Sequence, residues 1–126
     1  MGNQMSHIAK ILVVEDNPLL LLDLCDQLTE LGYSPVPATN AGAGAHLLDE
    51  TVDALITDIE LGAGPDGLAL ARLAARTLPH LPIVVVSGGV RPTSADLPTD
   101  ALFFPKPYRV ETLLGALHRT SHAHAA

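Results

Sequence analysis

The chain has 126 residues, enough for one domain and too few for two ordinary ones, and 48% of them are hydrophobic, so a real core can form. With two Phe, two Tyr and no Trp, that core must be aliphatic. Seven basic against fourteen acidic residues give a formal charge of −7, which argues against direct nucleic-acid binding or docking on anionic lipid, since both need Lys and Arg to neutralise phosphates.

Residues Met1 to Lys10 lack the apolar stretch of a signal peptide. Gly2 to Ser6 match the permissive myristoylation pattern, with no polybasic second anchor after it. The first apolar run, Ile11 to Val14, ends in Glu15-Asp16. Asn17 and Pro18 then read as a helix N-cap and first-turn proline. Leu21, Leu24, Cys25, Leu28 and Leu31 fall on one helical face, with Asp23, Asp26, Gln27 and Glu30 on the other, and Gly32 ends the helix. Leu20 stands out on the polar face. Cys25, the lone cysteine, cannot form an internal disulfide, which fits a reducing, cytoplasmic setting.

A weaker apolar run surrounds Val36, and a second helix is expected over about Ala41 to Glu50, weakened by Gly42 and Gly44. Ala54 to Ile56 form the next run, leading through Thr57 to Asp58. A third helix runs from near Gly67 to Thr77, burying Leu70, Leu73 and Ala74. Ile83 to Val86 and Ala101 to Phe104 are the last strand candidates, and the final helix starts after Pro107, burying Val110, Leu113, Leu114 and Leu117. Residues beyond about Arg119 read as a frayed tail, so the single domain spans 1–126 with a core of about 8–119 and flexible ends. His118, His122 and His124 there are at most a weak metal site. No apolar run approaches the roughly 20 residues that cross a bilayer.

Short, nearly all-apolar strands alternating with helices imply an α/β fold, a parallel sheet covered on both faces. One segment breaks the pattern. Between Val86 and Ala101 lie Gly88, Gly89, Pro92 and Pro98, and the apolar residues have no helical period. Pro98 forbids a long helix, so one short turn around Thr93 to Leu97, or a mobile loop, is expected.

Three strand ends carry polar groups: Glu15-Asp16, Asp58 and, after Phe103-Phe104-Pro105, Lys106. In an open parallel sheet those ends converge on one ligand-binding surface. Three carboxylates and an ammonium there suit a divalent metal and a phosphoryl group. Mg²⁺ prefers hard oxygen ligands and keeps several waters. Asp16 and Asp58 would bind it directly, Glu15 through water, with a backbone carbonyl near Glu60. An ionised Asp58 could attack phosphorus, while Lys106 and the Ser87 hydroxyl hold phosphoryl oxygens.

These residues, in this order, resemble the response-regulator receiver domain of bacterial two-component signalling over about Lys10 to Ala116. The matching motifs are Ile11-Leu12-Val13-Val14-Glu15-Asp16-Asn17, Ile56-Thr57-Asp58, Asp66-Gly67, Ser87-Gly88 and Lys106-Pro107. The resemblance implies a flavodoxin-like, doubly wound five-stranded parallel sheet of order 2-1-3-4-5 with five flanking helices, of which the fourth would here be short or disordered. It implies Mg²⁺ held by Glu15, Asp16, Asp58 and the Glu60 carbonyl. Asp58 would accept a phosphoryl group from a sensor histidine kinase or a histidine phosphotransfer protein, docked in related receivers near Leu20. Ser87 and Lys106 would sense the phosphoryl, Phe103 would be the aromatic switch, and Lys106-Pro107 a cis peptide. The implied role is a stand-alone cytoplasmic signalling switch acting on an unknown downstream protein, with self-phosphorylation and slow autodephosphorylation its only catalysis.

The departures from the family pattern are a spacing from Asp58 to Gly67 one residue longer than usual, Gly62 where a proline is usual, and a short, proline-rich stretch from Ser87 to Lys106. They resemble a divergent subgroup common in alphaproteobacteria. The loop Gly62-Ala63-Gly64 is expected to be more mobile for its glycines. Three alternatives remain: an aspartate-dependent phosphohydrolase, which needs a second acid two residues on, where Glu60 stands; a flavin- or nucleotide-binding domain, which lacks its Gly-rich loop here; and an unphosphorylated pseudo-receiver binding module.

Overall fold

In a computed structural model, which describes residues 7–125 and the side chains of 7–121, the elements run in the order β1 (Lys10–Val14), α1 (Pro18–Glu30), β2 (Ser34–Ala38), α2 (Ala41–Leu47), β3 (Ala54–Asp58), α3 (Gly67–Thr77), β4 (Ile83–Ser87), β5 (Leu102–Pro105) and α4 (Val110–Ala125). The five strands form one parallel sheet in the order β2-β1-β3-β4-β5. The Gly2–Ser6 pattern and the His122 and His124 side chains lie outside the described residues. Among the described residues no helix is long and apolar enough to cross a membrane.

Successive strand residues point to opposite faces, and the core divides accordingly. Leu12, Val14, Leu55 and Val85 pack toward α2 and α3. Ile11, Val13, Ile56, Val84 and Val86 pack toward α1 and α4, where Leu28, Leu113 and Leu117 are fully buried. The central strands β3 and β4 are buried at every position. The outer strands are not covered on both faces as expected: β2 and β5 are each exposed or half-buried over most of their length. Both carry prolines, Pro35 and Pro37 in β2 and Pro105 in β5, as edge strands can.

The helices begin where their caps dictate. The Asn17 side chain accepts from the Leu19 and Leu20 N–H groups, Asn40 from Ala43, and Asp66 from Ala69. Helix α2 stops three residues earlier than expected, because Asp49 turns back to accept the Thr51 N–H at 2.8 Å. Gly44, expected only to weaken α2, has a packing reason: a Cβ there would lie 3.0 Å from Leu70 and 3.1 Å from Val14. Leu31 is a correction too. It follows the last residue of α1 and is 49% exposed, whereas Leu21, Leu24 and Leu28 are buried. Cys25 is half-buried against the α1–α4 cluster, and Leu73 is half-buried rather than buried. Helix α4 continues past Arg119 to Ala125, with Thr120 buried and bonded back to the Ala116 carbonyl at 3.0 Å.

The crossover from β4 to β5 holds no regular helix, only turns at residues 94–96 and 99–100. The first of them is closed by hydrogen bonds from the Asp96 N–H to the Thr93 carbonyl and from the Thr93 N–H to the Asp96 carboxylate. Leu97 reaches from it onto the α2–α3 cluster.

Candidate functional site

The carboxyl ends of β1, β3, β4 and β5 meet at one edge of the sheet. Register sets Asp58 beside Val86, and the Ile59 N–H donates to the Val86 carbonyl at 2.9 Å, so Ser87 follows next to the Asp58 turn. The Lys106 N–H donates to the Ser87 carbonyl at 2.9 Å, which places the lysine on the same rim. The Lys106-Pro107 peptide is cis.

Lys106 Nζ donates to Glu15 Oε1 at 2.8 Å and to Asp58 Oδ2 at 2.9 Å. Glu15 and Asp58 are buried, and Asp16 is exposed at the rim. Each of the three acids offers an oxygen within 4.8 Å of the others'. Asp58 Oδ1 is buried and has no hydrogen-bond partner among the described residues. A bare carboxylate oxygen without a donor is costly, and a hard cation satisfies it. The donor set is all oxygen and partly open to solvent, which fits a Mg²⁺ ion that keeps waters.

The charges shape each other. Burial is the main cause that lifts the Asp58 carboxyl from 3.8 to about 7, against the Lys106 hydrogen bond and with the help of the Glu15 charge. Burial also pushes Glu15 upward, yet the hydrogen bonds from Lys106 and from the Asn17 N–H prevail and hold it below its usual value. For Lys106, burial works against the charge, but the two carboxylates outweigh it and raise the ammonium's pKa.

A pH dependence follows from Asp58. Between 3.8 and about 7 the folded protein keeps a proton that the unfolded chain releases. For a raised carboxyl the sign is favourable to folding at lower pH: its destabilisation is fully present above about 7 and is relieved as pH falls toward 3.8. Glu15, held low, gives the opposite contribution only as pH drops below its unfolded value of 4.5. Metal-free protein should therefore gain stability against urea between pH 8 and pH 5.5, and Asp58→Asn should lose that part of the trend. An identical slope in parent and variant would contradict the assignment.

The remaining sequence candidates separate. Ser87 is 2% exposed, and its hydroxyl donates to Glu60 Oε2 at 2.6 Å rather than to Glu15, Asp16 or Asp58. Phe103 is half-buried on the α2–α3 cluster. The Glu60 side chain also accepts the Val90 N–H at 2.9 Å. Its partial burial raises its pKa, and the bonds from Ser87 and Val90 outweigh that, holding it at about 2. No local signal marks this contact, since 27 residues separate Glu60 from Ser87. Gly62 and Gly64 have φ of 75° and 90°, the left-handed region that favours glycine.

Leu20 is exposed and borders a groove of about 440 Å³ between α1 and the start of α4, lined also by Leu24, Lys106, Pro107, Tyr108 and Val110.

Comparison with known proteins fits this geometry. The family model described as "Response regulator receiver domain" matches residues 11–117. A response regulator receiver protein of Anaeromyxobacter is 32% identical over 108 residues, 84% of this chain and 43% of that protein. The transcriptional regulatory protein GlrR of Escherichia coli is 35% identical over 85 residues, 66% of this chain and 19% of that protein. The chain thus spans less than half the length of these curated relatives. Among solved structures, a response regulator receiver protein from Sinorhizobium medicae superposes with a TM-score of 0.86 at 27% identity, covering 94% of this chain and 98% of that one. A response regulator protein from Burkholderia pseudomallei, crystallised with a phosphorylated aspartic acid and a calcium ion, gives 0.76 at 25% identity over 91% of this chain and 69% of that one.

Proposed function

The chain belongs to the response-regulator receiver family, and from that premise we propose that it is a switch set by a phosphoryl group on Asp58, with Mg²⁺ held by Glu15, Asp16, Asp58 and the Glu60 carbonyl. The observation that carries this is the buried Asp58 carboxylate, with Oδ2 on Lys106 and Oδ1 without a partner, at the rim where three acids converge. The donor would be a phosphohistidine on a sensor kinase or phosphotransfer protein, in a cytoplasmic setting. The phosphorus–nitrogen bond breaks, an Asp58 oxygen takes the phosphorus, and the electron pair leaves with the imidazole. Bound Mg²⁺ would supply positive charge to the phosphoryl oxygens and to the acids. Lys106 then moves a hydrogen bond from Asp58 to a phosphoryl oxygen, Ser87 turns its hydroxyl inward, and Phe103 follows into the space released. The exposed Leu20 and the groove it borders suit the donor protein, because that groove is lined by Lys106, which bonds the Asp58 carboxylate. The output is a change of partner binding or onward transfer of the phosphoryl.

Treatment with acetyl phosphate and Mg²⁺ should add one phosphoryl mass to the parent and none to Asp58→Ala. Equal labelling of the two would refute the assignment. The proton and the metal compete for Asp58, so Mg²⁺ affinity should fall as pH drops below about 7, approaching tenfold per unit. Calorimetric titration at pH 8, 7 and 6 measures this, and a flat profile would count against Asp58 as a ligand. The phosphohydrolase alternative gains little from the geometry: its second acid, Glu60, already accepts the Ser87 hydroxyl and the Val90 N–H on Oε2.

A further inference from the structure

Ser87 has one hydroxyl proton, and in this structure it is committed. It goes to Glu60 Oε2 at 2.6 Å. The same carboxylate oxygen accepts the Val90 N–H at 2.9 Å, and the Ser87 oxygen accepts that N–H too at 2.8 Å, with the Gly89 N–H at 3.2 Å. The three residues form a closed triangle joining the loop after β3 to the loop after β4. Gly89 lies in ordinary contact with the triangle, since a Cβ there would be 3.6 Å from the Glu60 oxygen. Val90 opens the helix-free stretch and is 44% exposed, so little apolar packing holds the stretch at that end.

We propose that the Glu60 carboxylate is a positioning residue, a latch that keeps the Ser87 hydroxyl engaged and ties down residues 88–90 until a phosphoryl group claims the Ser87 proton. This rests on the phosphoacceptor reading of Asp58 and adds the step that couples it to the loop. A hydroxyl cannot donate to the carboxylate and to a phosphoryl oxygen at once. When it turns inward, Glu60 loses its strongest donor. The Val90 N–H loses one of its two acceptors, because the Ser87 oxygen moves with the proton. No bond other than hydrogen bonds changes. Phosphorylation is thereby converted into release of the segment that follows β4, with Glu60 setting how firmly it is held beforehand.

The test compares Glu60→Ala and Glu60→Gln in the parent and in a Ser87→Ala background, by two readouts. Glu60 is exposed, so both variants should fold, and thermal melting checks this. In the unphosphorylated protein, solvent exchange of the Val90 amide should speed up about tenfold in Glu60→Ala, with Glu60→Gln between. Beryllofluoride with Mg²⁺ should produce the same acceleration in the parent. The initial rate of labelling by acetyl phosphate should rise several-fold in Glu60→Ala, and this gain should vanish in the Ser87→Ala background. Persistence of the gain there would mean that simple charge repulsion is at work, and the latch would be wrong. An unchanged Val90 amide would equally overturn it. A parent that takes no label at all marks a different failure, that of the phosphoacceptor reading itself.

Discussion

Lys106→Ala should lower the unfolding free energy of the metal-free protein by about 2 to 3 kcal/mol, and Mg²⁺ should restore a large share of the loss. The ammonium is the one cation within hydrogen-bond reach of Glu15 and Asp58 among the described residues, at 2.8 and 2.9 Å. Both acids are nearly closed to solvent, with side-chain exposures of 7% and 4%. Removing one member of a buried pair leaves an uncompensated charge, which ordinarily costs about 3 to 5 kcal/mol. The lysine's own 22% exposure lets water soften that figure. Asp58 can also take up a proton, since its pKa is already near 7 and would climb further without the cation. A divalent ion offers the same acids the charge that the lysine withdrew, so the stability difference between Mg²⁺-free and Mg²⁺-saturated protein should be larger in the variant than in the parent. Urea unfolding with and without the ion measures both effects. A loss below about 1 kcal/mol, or an equal Mg²⁺ response, would show that Lys106 is a surface lysine after all.

Gly67→Ala should cost about 3 kcal/mol or more and should impair labelling of Asp58 along with stability. A Cβ at Gly67 would sit 1.7 Å from the Asp58 carbonyl oxygen and 3.0 Å from the Ile59 Cα. Those are backbone atoms, so no side chain can swing aside. The Gly67 N–H also donates to the Ile59 carbonyl at 2.9 Å, which pins the start of α3 beside Asp58. Any relief of the clash must move either α3 or the Asp58 peptide. Gly64→Ala is the comparison: its φ of 90° strains an alanine, but nothing lies within 4 Å. The cost there should be about 1 to 2 kcal/mol, with labelling preserved. Equal effects at the two sites, by urea unfolding and phosphoryl mass, would discount the close approach.

These two residues also show how far the sequence could be read. Lys106 and the acids were legible because each ends a strand-like run, and parallel topology brings strand ends together. Gly67 was noticed as half of Asp66-Gly67, but its reason is a contact across the β3–α3 turn that no spacing displays. The missing crossover helix is legible from Pro98 and the lack of period, and only short turns form there. Helix ends were less so. The Asp49–Thr51 turn that cuts α2 short is a local cue, while Leu31 lies on the apolar arc of α1 but one residue past its end, where the arc ceases to matter. The sequence marks Glu60 for its carbonyl and as a second acid two residues after Asp58. Its partner Ser87 comes from another strand, and which way a hydroxyl points depends on the acceptors folding supplies.

The prolines of the outer strands bear on how the molecule meets its neighbours. The Ser34 N–H reaches Ala9 on the β1 side, so the nitrogens of Pro35 and Pro37 face the open edge. On the far side the Lys106 N–H reaches Ser87 of β4, which turns the nitrogen of Pro105 outward as well. An incoming strand would therefore find two successive missing donors on one flank and a third on the other. Extension of the sheet from copy to copy, the first step of strand-mediated aggregation, is disfavoured at both margins and most strongly along β2.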